Sequence, residues 1–272
     1  MPTDPTTHLL SAFESPDYQP PLLPSVATEL LELSGWAEVD FEKVIALLEK
    51  DPLLAGRVLQ IAQSPLYPSK SKILSLKHAV VRMGLRSLVD VFFEATLKLK
   101  IFKAPGYEWP MAELQRHSTA TAYVTRLVCR YAKVDGEHAF LCGLLHDVGI
   151  AASLITLAEK RKGPDLPDLG RVWPAIFAAH EKASEILAAR WKLPVEIQRV
   201  LGHHHDPSVD GQVDPVAAAV CVAECVSSHL GAGIGNETEA STPVVAQSAI
   251  GLGDAELRLL IVEARDLIAQ IG

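Results

Sequence analysis

Basic side chains are in the minority in this chain: 25 Lys and Arg stand against 33 Asp and Glu, a formal net charge of −8. A nucleic-acid surface needs concentrated Lys and Arg to displace counterions. No basic stripe with interleaved aromatics occurs, so nucleic acid is not an expected partner. No apolar run reaches the 18 or so residues that cross a bilayer. The first residues also lack the basic stretch followed by an apolar one that marks a secretory signal. These absences give the expectation of a soluble, cytoplasmic protein with no membrane partner. Cysteine is scarce as well. Cys129, Cys142, Cys221 and Cys225 lie in apolar helical context without a CxxC pair. They read as buried free thiols that fill space, not as metal ligands. Alternating β patterns never persist and no internal repeat is visible, which leaves an all-α fold.

Apolar side chains are abundant, 49% of 272 residues, enough for one large domain or two compact ones. Residues 1–20, rich in Pro, Thr, Ser and Asp, read as a flexible tail. From Leu23 onward the pattern is helical, with Leu30, Leu31 and Leu33 in a first helix and Val44, Ile45, Leu47 and Leu48 in a second. Asp51-Pro52 opens the next helix, since Pro suits a first turn, and Ser64-Pro65 closes it. A further helix runs from Ser75 to Gly84 and another over about 85–102. Ala104-Pro105-Gly106 is a break and marks the domain boundary. Beyond it the pattern predicts helices near 109–133, 136–146, 148–160, 171–191, 194–205, 214–230 and 254–271. Asp254 is the expected N-cap of the last, and Gly231 to Pro243 reads as a mobile loop.

The chain holds 10 histidines, and several project from apolar stripes. His117 shares its helix face with Leu114, Thr121, Val124 and Val128. His146-Asp147 ends the run Ala139 to Leu145. His180 aligns with Ile176, Phe177, Ser184 and Leu187; His204 with Ile197, Val200 and Leu201; Glu224 with Ala217, Val220, Cys221 and Ser228. For any single histidine, a hydrogen-bonded core residue is the commoner case, and His8, His78, His138 and His229 are read that way or as surface residues. Burying the whole set without partners is costly. A shared divalent cation resolves the cost, because imidazole nitrogen and carboxylate oxygen are its usual ligands. Neighbours at a helix end point in different directions, so Asp147 can bridge two metals while His146 binds one. In the run His203-His204-His205, pattern alone does not say which residues face inward.

The order of these residues resembles the HD superfamily of metal-dependent phosphohydrolases. More narrowly, the chain resembles HDOD proteins, HD-related output domains of bacterial signalling. Leu23-Pro24-Ser25-Val26, Asp51-Pro52-Leu53-Leu54-Ala55, Ser64-Pro65-Leu66-Tyr67, Ser75 to Ala79 and Met83-Gly84-Leu85 carry the likeness in the first half. His117-Ser118, Leu144 to Gly149, Trp191 to Pro194 and His204 to Pro207 carry it in the second. The resemblance implies an N-terminal helical subdomain over 21–106 packed on an HD-type metal-binding bundle over 107–272. It places His117, His146, Asp147, His180, His204 and His205 at ligand positions of a dinuclear site and picks His204 and His205 over His203. The chain departs from the pattern at Gln63, where Asn is usual, and at Glu224, which stands where the last ligand is Asp. Ile150 replaces the Lys of catalytic relatives, and no Gly-Tyr-Pro follows His204-His205.

Three functions compete. The first is a regulatory module with a retained metal centre that binds a signalling protein or a small phosphorylated ligand. The second is a metal-dependent phosphohydrolase acting on a nucleotide or cyclic dinucleotide, with Asp147 bridging two metals and His203 shuttling a proton. The third is a purely structural helical protein. The missing Lys and Gly-Tyr-Pro favour the first. Iron or manganese is the expected metal; nitrogen-and-oxygen ligation also suits zinc or nickel, and affinity order alone does not choose among them.

Overall fold

A computed structural model of the chain describes residues 5–23, 27, 29, 41–67, 73–159, 166–209, 211–234 and 244–271. The chain divides into two compact units, Leu22–Ile101 with Gln270–Gly272, and Met1–Pro21 with Phe102–Ala269. Both are helical among the described residues, apart from a two-residue antiparallel ladder, β1 (Ser208–Val209) on β2 (Gln212–Val213).

In the smaller unit, α2 (Phe41–Leu48) leads to α3 (Pro52–Ala62). Asp51 caps α3, its carboxylate accepting from the amides of Leu53 and Leu54 at 3.1 Å, with Pro52 in the first turn. Leu54, Val58 and Ile61 form its buried face against α4 (Leu76–Lys100). Ser75 caps α4 by accepting from the His78 amide at 3.1 Å. Gly84 breaks α4 where the sequence predicts a helix end, with φ 82° and ψ 160°, a backbone that glycine adopts without strain. The expected helix over Leu30, Leu31 and Leu33 lies outside the described residues.

The larger unit begins with a correction. The segment expected as a loose tail contains helix α1 (Pro5–Glu14), which buries Leu9 and Phe13 and packs on α8 (Leu169–Arg190). The Arg190 guanidinium donates to the Ser15 carbonyl at 3.1 Å and the Trp191 indole to that of Pro21 at 2.8 Å. Average composition hides this helix because a single i, i+4 apolar pair anchors it. The remaining helices are α5 (Glu108–Ala132), α6 (Ala139–Leu145), α7 (Val148–Glu159), α9 (Val195–Gly202), α10 (Pro215–Ser227), α11 (Val244–Ala249) and α12 (Asp254–Ile268). A π-helical turn, Ser228–Ala232, follows α10. Helix α5 packs on α6, α10 and α12, while α8 packs on α7 and α9.

Two apolar stretches, Ala139–Glu159 and Pro215–Ala232, have the length and composition of membrane-crossing helices. They are 89% and 61% buried inside the unit, which accounts for their apolarity. Helix α9 stops at Gly202, short of the expected residue 205. Pro207 disfavours helical backbone in the residue before it, so His203 to Asp206 form a turn. Asp254, expected as an N-cap, is the first residue of α12, and Gly253 caps it. Cys129 and Cys142 are buried as expected, whereas Cys221 and Cys225 are half-buried.

Candidate metal centre

Five elements of the larger unit deliver the expected residues to one place. Helix α5 presents His117 from its buried stripe, and the junction of α6 and α7 presents His146 and Asp147. His180 comes from α8, His204 and His205 from the turn after α9, and Glu224 from α10. Two glycines let these elements close in. A Cβ on Gly143 would lie 2.6 Å from Thr125 Oγ1 and 2.9 Å from Ala122 Cα. One on Gly149 would lie 2.3 Å from the His180 carbonyl oxygen. Ser184 ties the same junction to α8: its hydroxyl accepts from the Gly149 amide at 2.9 Å and donates to the His146 carbonyl at 2.7 Å.

The far ring nitrogens fix how the imidazoles point. His117 Nδ1 donates to the Ala232 carbonyl at 2.7 Å, His146 Nδ1 to Gly143 at 2.9 Å and His204 Nδ1 to Leu201 at 3.0 Å; His180 Nδ1 donates to Phe177. A carbonyl only accepts, so each Nδ1 carries the proton and, in the neutral ring, each Nε2 is an unprotonated lone pair. Those lone pairs converge. His117 Nε2 is 3.1 Å from His146 Nε2 and His180 Nε2 is 3.1 Å from His204 Nε2; the His205 ring, with no carbonyl on its Nδ1 among the described residues, sets its Nε2 3.0 Å from His180 Nε2. Asp147 lies between the two groups. Its Oδ2 is 3.4 Å from His117 Nε2 and 3.3 Å from His146 Nε2, while its Oδ1 is 3.4 Å from His180 Nε2 and 3.6 Å from His204 Nε2. Oδ1 is buried with no hydrogen-bond partner. Lone pairs facing lone pairs across such distances, with an orphaned carboxylate oxygen among them, fit a divalent cation better than any hydrogen-bond network.

Potential ligand atoms fall into two groups within 4.8 Å: His117, His146, Asp147 and Glu224, and His180, His204 and His205. Burial would raise the Asp147 carboxyl, but the surrounding imidazoles, His146 first and then His117 and His204, outweigh it and hold the group well below the usual carboxylate range. Burial pushes His204 well below the usual imidazole value, and burial with the neighbouring His180 brings His205 down to about 4. Burial raises Glu181, whose Oε1 accepts from the His205 amide at 3.0 Å. Burial with the neighbouring Glu224 pushes Cys221 up to about 12, so its thiol stays protonated beside the centre. Among the described residues, the ligand side chains are buried except at one rim. There the His205 side chain is 33% exposed, and Phe177, stacked on His180 with centroids 4.9 Å apart, is 37% exposed.

The structure thus brings together His117, His146, Asp147, His180, His204, His205 and Glu224. It leaves His203, expected as a proton shuttle, half-buried at the end of α9 and outside both groups. His8, His78 and His229 are exposed and His138 half-buried, also outside them. Sequence reading missed Ser184, Glu181 and the Ala232 carbonyl. Ser184 was visible on the His180 stripe, and Gly143 and Gly149 flank the His-Asp pair, but nothing marked their roles.

Residues 21–207 match the HDOD domain profile. An HDOD protein of unknown function from Geobacter sulfurreducens superposes with a TM-score of 0.74 at 24% identity, covering 97% of each chain. A Shewanella amazonensis SB2B protein described as a candidate metal-dependent phosphohydrolase superposes equally, TM-score 0.74, at 19% identity over 98% of each chain. These two likenesses show the fold alone. A Treponema pallidum (strain Nichols) protein of uncharacterised function is 25% identical over 218 residues; the match covers 75% of this chain but only 41% of that relative's length. The family match spans well over half the chain and runs through the turn that bears His204 and His205, so this chain belongs to the HDOD family.

Proposed function

We propose that this chain is a regulatory HDOD module built around a two-metal centre, which binds a signalling protein or a small phosphorylated ligand. One observation carries the metal reading: unprotonated Nε2 atoms converge on both oxygens of a buried Asp147 whose Oδ1 has no hydrogen-bond partner. His117, His146 and Glu224 would hold one ion and His180, His204 and His205 the other, with Asp147 shared between them. The regulatory reading is supported by what stands beside the centre. Ile150, where catalytic relatives carry Lys, is 2% exposed and apolar, and no Gly-Tyr-Pro follows His205.

The second reading, a phosphohydrolase, is favoured by the carboxylate set between two ligand groups and by the half-open rim at His205. Two divalent ions would supply positive charge for phosphate oxygens and acidify water.

Metal content by plasma mass spectrometry, after anaerobic loading with iron or manganese, tests the first claim. About two equivalents are expected in the wild type and none in Asp147→Ala; a wild type that holds one or none overturns the two-metal reading. Hydrolysis of bis(p-nitrophenyl) phosphate by the loaded protein separates the two functions. No turnover above the Asp147→Ala background supports the regulatory module, and turnover that disappears in that variant supports the enzyme.

A further inference from the structure

The two ligand groups are held differently, and the difference has a chemical consequence. We propose, on the basis of the two-metal reading, that the His180–His204–His205 position exchanges its ion readily while the His117–His146–Glu224 position keeps its ion, with His205 as the releasing ligand. Three observations carry this. The first is exposure: the side chains of His117, His146 and Asp147 are 1%, 0% and 5% exposed and that of Glu224 is 11%, against 33% for His205. Among the described residues, the ligands of the first position are buried, whereas the second has His205 at the rim.

The second is anchoring. His117, His146, His180 and His204 each have the far nitrogen tied to a backbone carbonyl. No such carbonyl serves His205 among the described residues; its Nδ1 faces Glu224 Oε2 at 3.7 Å, beyond hydrogen-bond reach. Glu181 holds the His205 backbone through its amide, so the ring turns about its own side-chain torsions without moving the chain. A hydrogen bond on the far nitrogen is what orients a ligating imidazole and raises its basicity, so His205 is the weakest of the histidine ligands.

The third is charge. The first position has the Glu224 carboxylate among its ligand atoms as well as a share of Asp147; the second has its share of Asp147, with the Glu181 carboxylate 3.8 Å behind His204 Nδ1 and outside the ligand group. A dication is therefore less well neutralised in the second position.

The test follows metal release from the fully loaded protein into a chromogenic chelator. The wild type is expected to release about two equivalents in two phases of similar amplitude, with rates about tenfold or more apart. His205→Ala should lose the fast phase and retain about one equivalent, and Glu224→Gln should accelerate the slow phase. Circular dichroism checks the fold of each variant, and His205→Gln replaces His205→Ala if the latter is not helical. Release of both equivalents in one phase, or loss of both ions from a folded His205 variant, overturns the inference. Fewer than two equivalents in the wild type overturns the two-metal reading and this inference with it.

Discussion

The turn at His146-Asp147 and the turn at His203–Asp206 both deliver ligand atoms, yet they are secured by different means. The first is fixed from both sides by close packing: Gly143 lies against Thr125 and Ala122 of α5, Gly149 against the His180 carbonyl of α8, and Ser184 bridges the His146 carbonyl and the Gly149 amide. The second is a chain reversal after α9. The Glu181 carboxylate holds the His205 amide, the Leu201 carbonyl holds the His204 ring, and the His205 side chain is left at the rim. The same imidazole chemistry thus sits on one rigid and one adjustable support, and the support decides how much each ligand can move.

The comparison breaks most visibly if the rigid turn tolerates added bulk. In Gly149→Ala the new Cβ meets backbone atoms, the His180 oxygen at 2.3 Å and the Ser184 nitrogen at 2.8 Å, neither of which can turn aside. Overpacking of this kind costs about 2–3 kcal/mol, and the melting temperature of the metal-free protein should fall by about 5–10 °C. A fall under about 2 °C would show that the rigid turn is adjustable too.

Acid should separate the turns. Asp147, on the rigid turn, has a lowered pKa in the folded chain, so its contribution is complete above the ordinary carboxylate range and drains as pH falls through the lowered value. His204 and His205, on the adjustable turn, are also lowered, His205 to about 4. They stay neutral when folded while the unfolded imidazoles take protons from about pH 6.5 downward. Their contribution is therefore complete above about pH 6.5 and drains first. The urea midpoint of the metal-free protein is expected to fall on going from pH 7 to pH 5, and His205→Ala should flatten part of that fall. A midpoint unchanged over that interval contradicts the assignment.

The smallest effect is the sharpest discriminator. Glu181→Ala removes the acceptor of the His205 amide. It should weaken metal at the adjustable position about tenfold and shift the melting temperature of the metal-free protein by under about 2 °C. Equal weakening at both positions, read from a metal titration, would mean that the supports are coupled.

Much of the centre was legible in the sequence because burying polar groups is costly. His117, His180 and Glu224 occupy apolar helical faces and His146 and His204 directly follow such faces, and a shared cation is the economical reason for such a set. The all-α fold followed from persistent helical periodicity, and the breaks at Asp51-Pro52 and Gly84 from the conformational limits of Pro and freedom of Gly. What escaped depends on contacts between distant segments. Helix α1 rests on Leu9 and Phe13, too few residues to register against a Pro- and Thr-rich background. The end of α9 at Gly202 required giving Pro207 more weight than the helical pattern before it. The groups that orient the rings are backbone carbonyls, identical at every residue, so no sequence pattern distinguishes that of Ala232 from its neighbours.

The carbonyl of Ala232 has a consequence for how the protein is made. It belongs to the π-helical turn after α10, lies 115 positions beyond the His117 ring it orients, and falls past the end of the matched family region at residue 207. Glu224 lies past that end as well. A chain emerging from the ribosome therefore exposes His117, His146 and Asp147 before it has made the groups that complete their enclosure. The nascent chain offers a set of open imidazoles to whatever ions are at hand, and only after residue 232 is synthesised does the ring of His117 gain the partner that sets its direction.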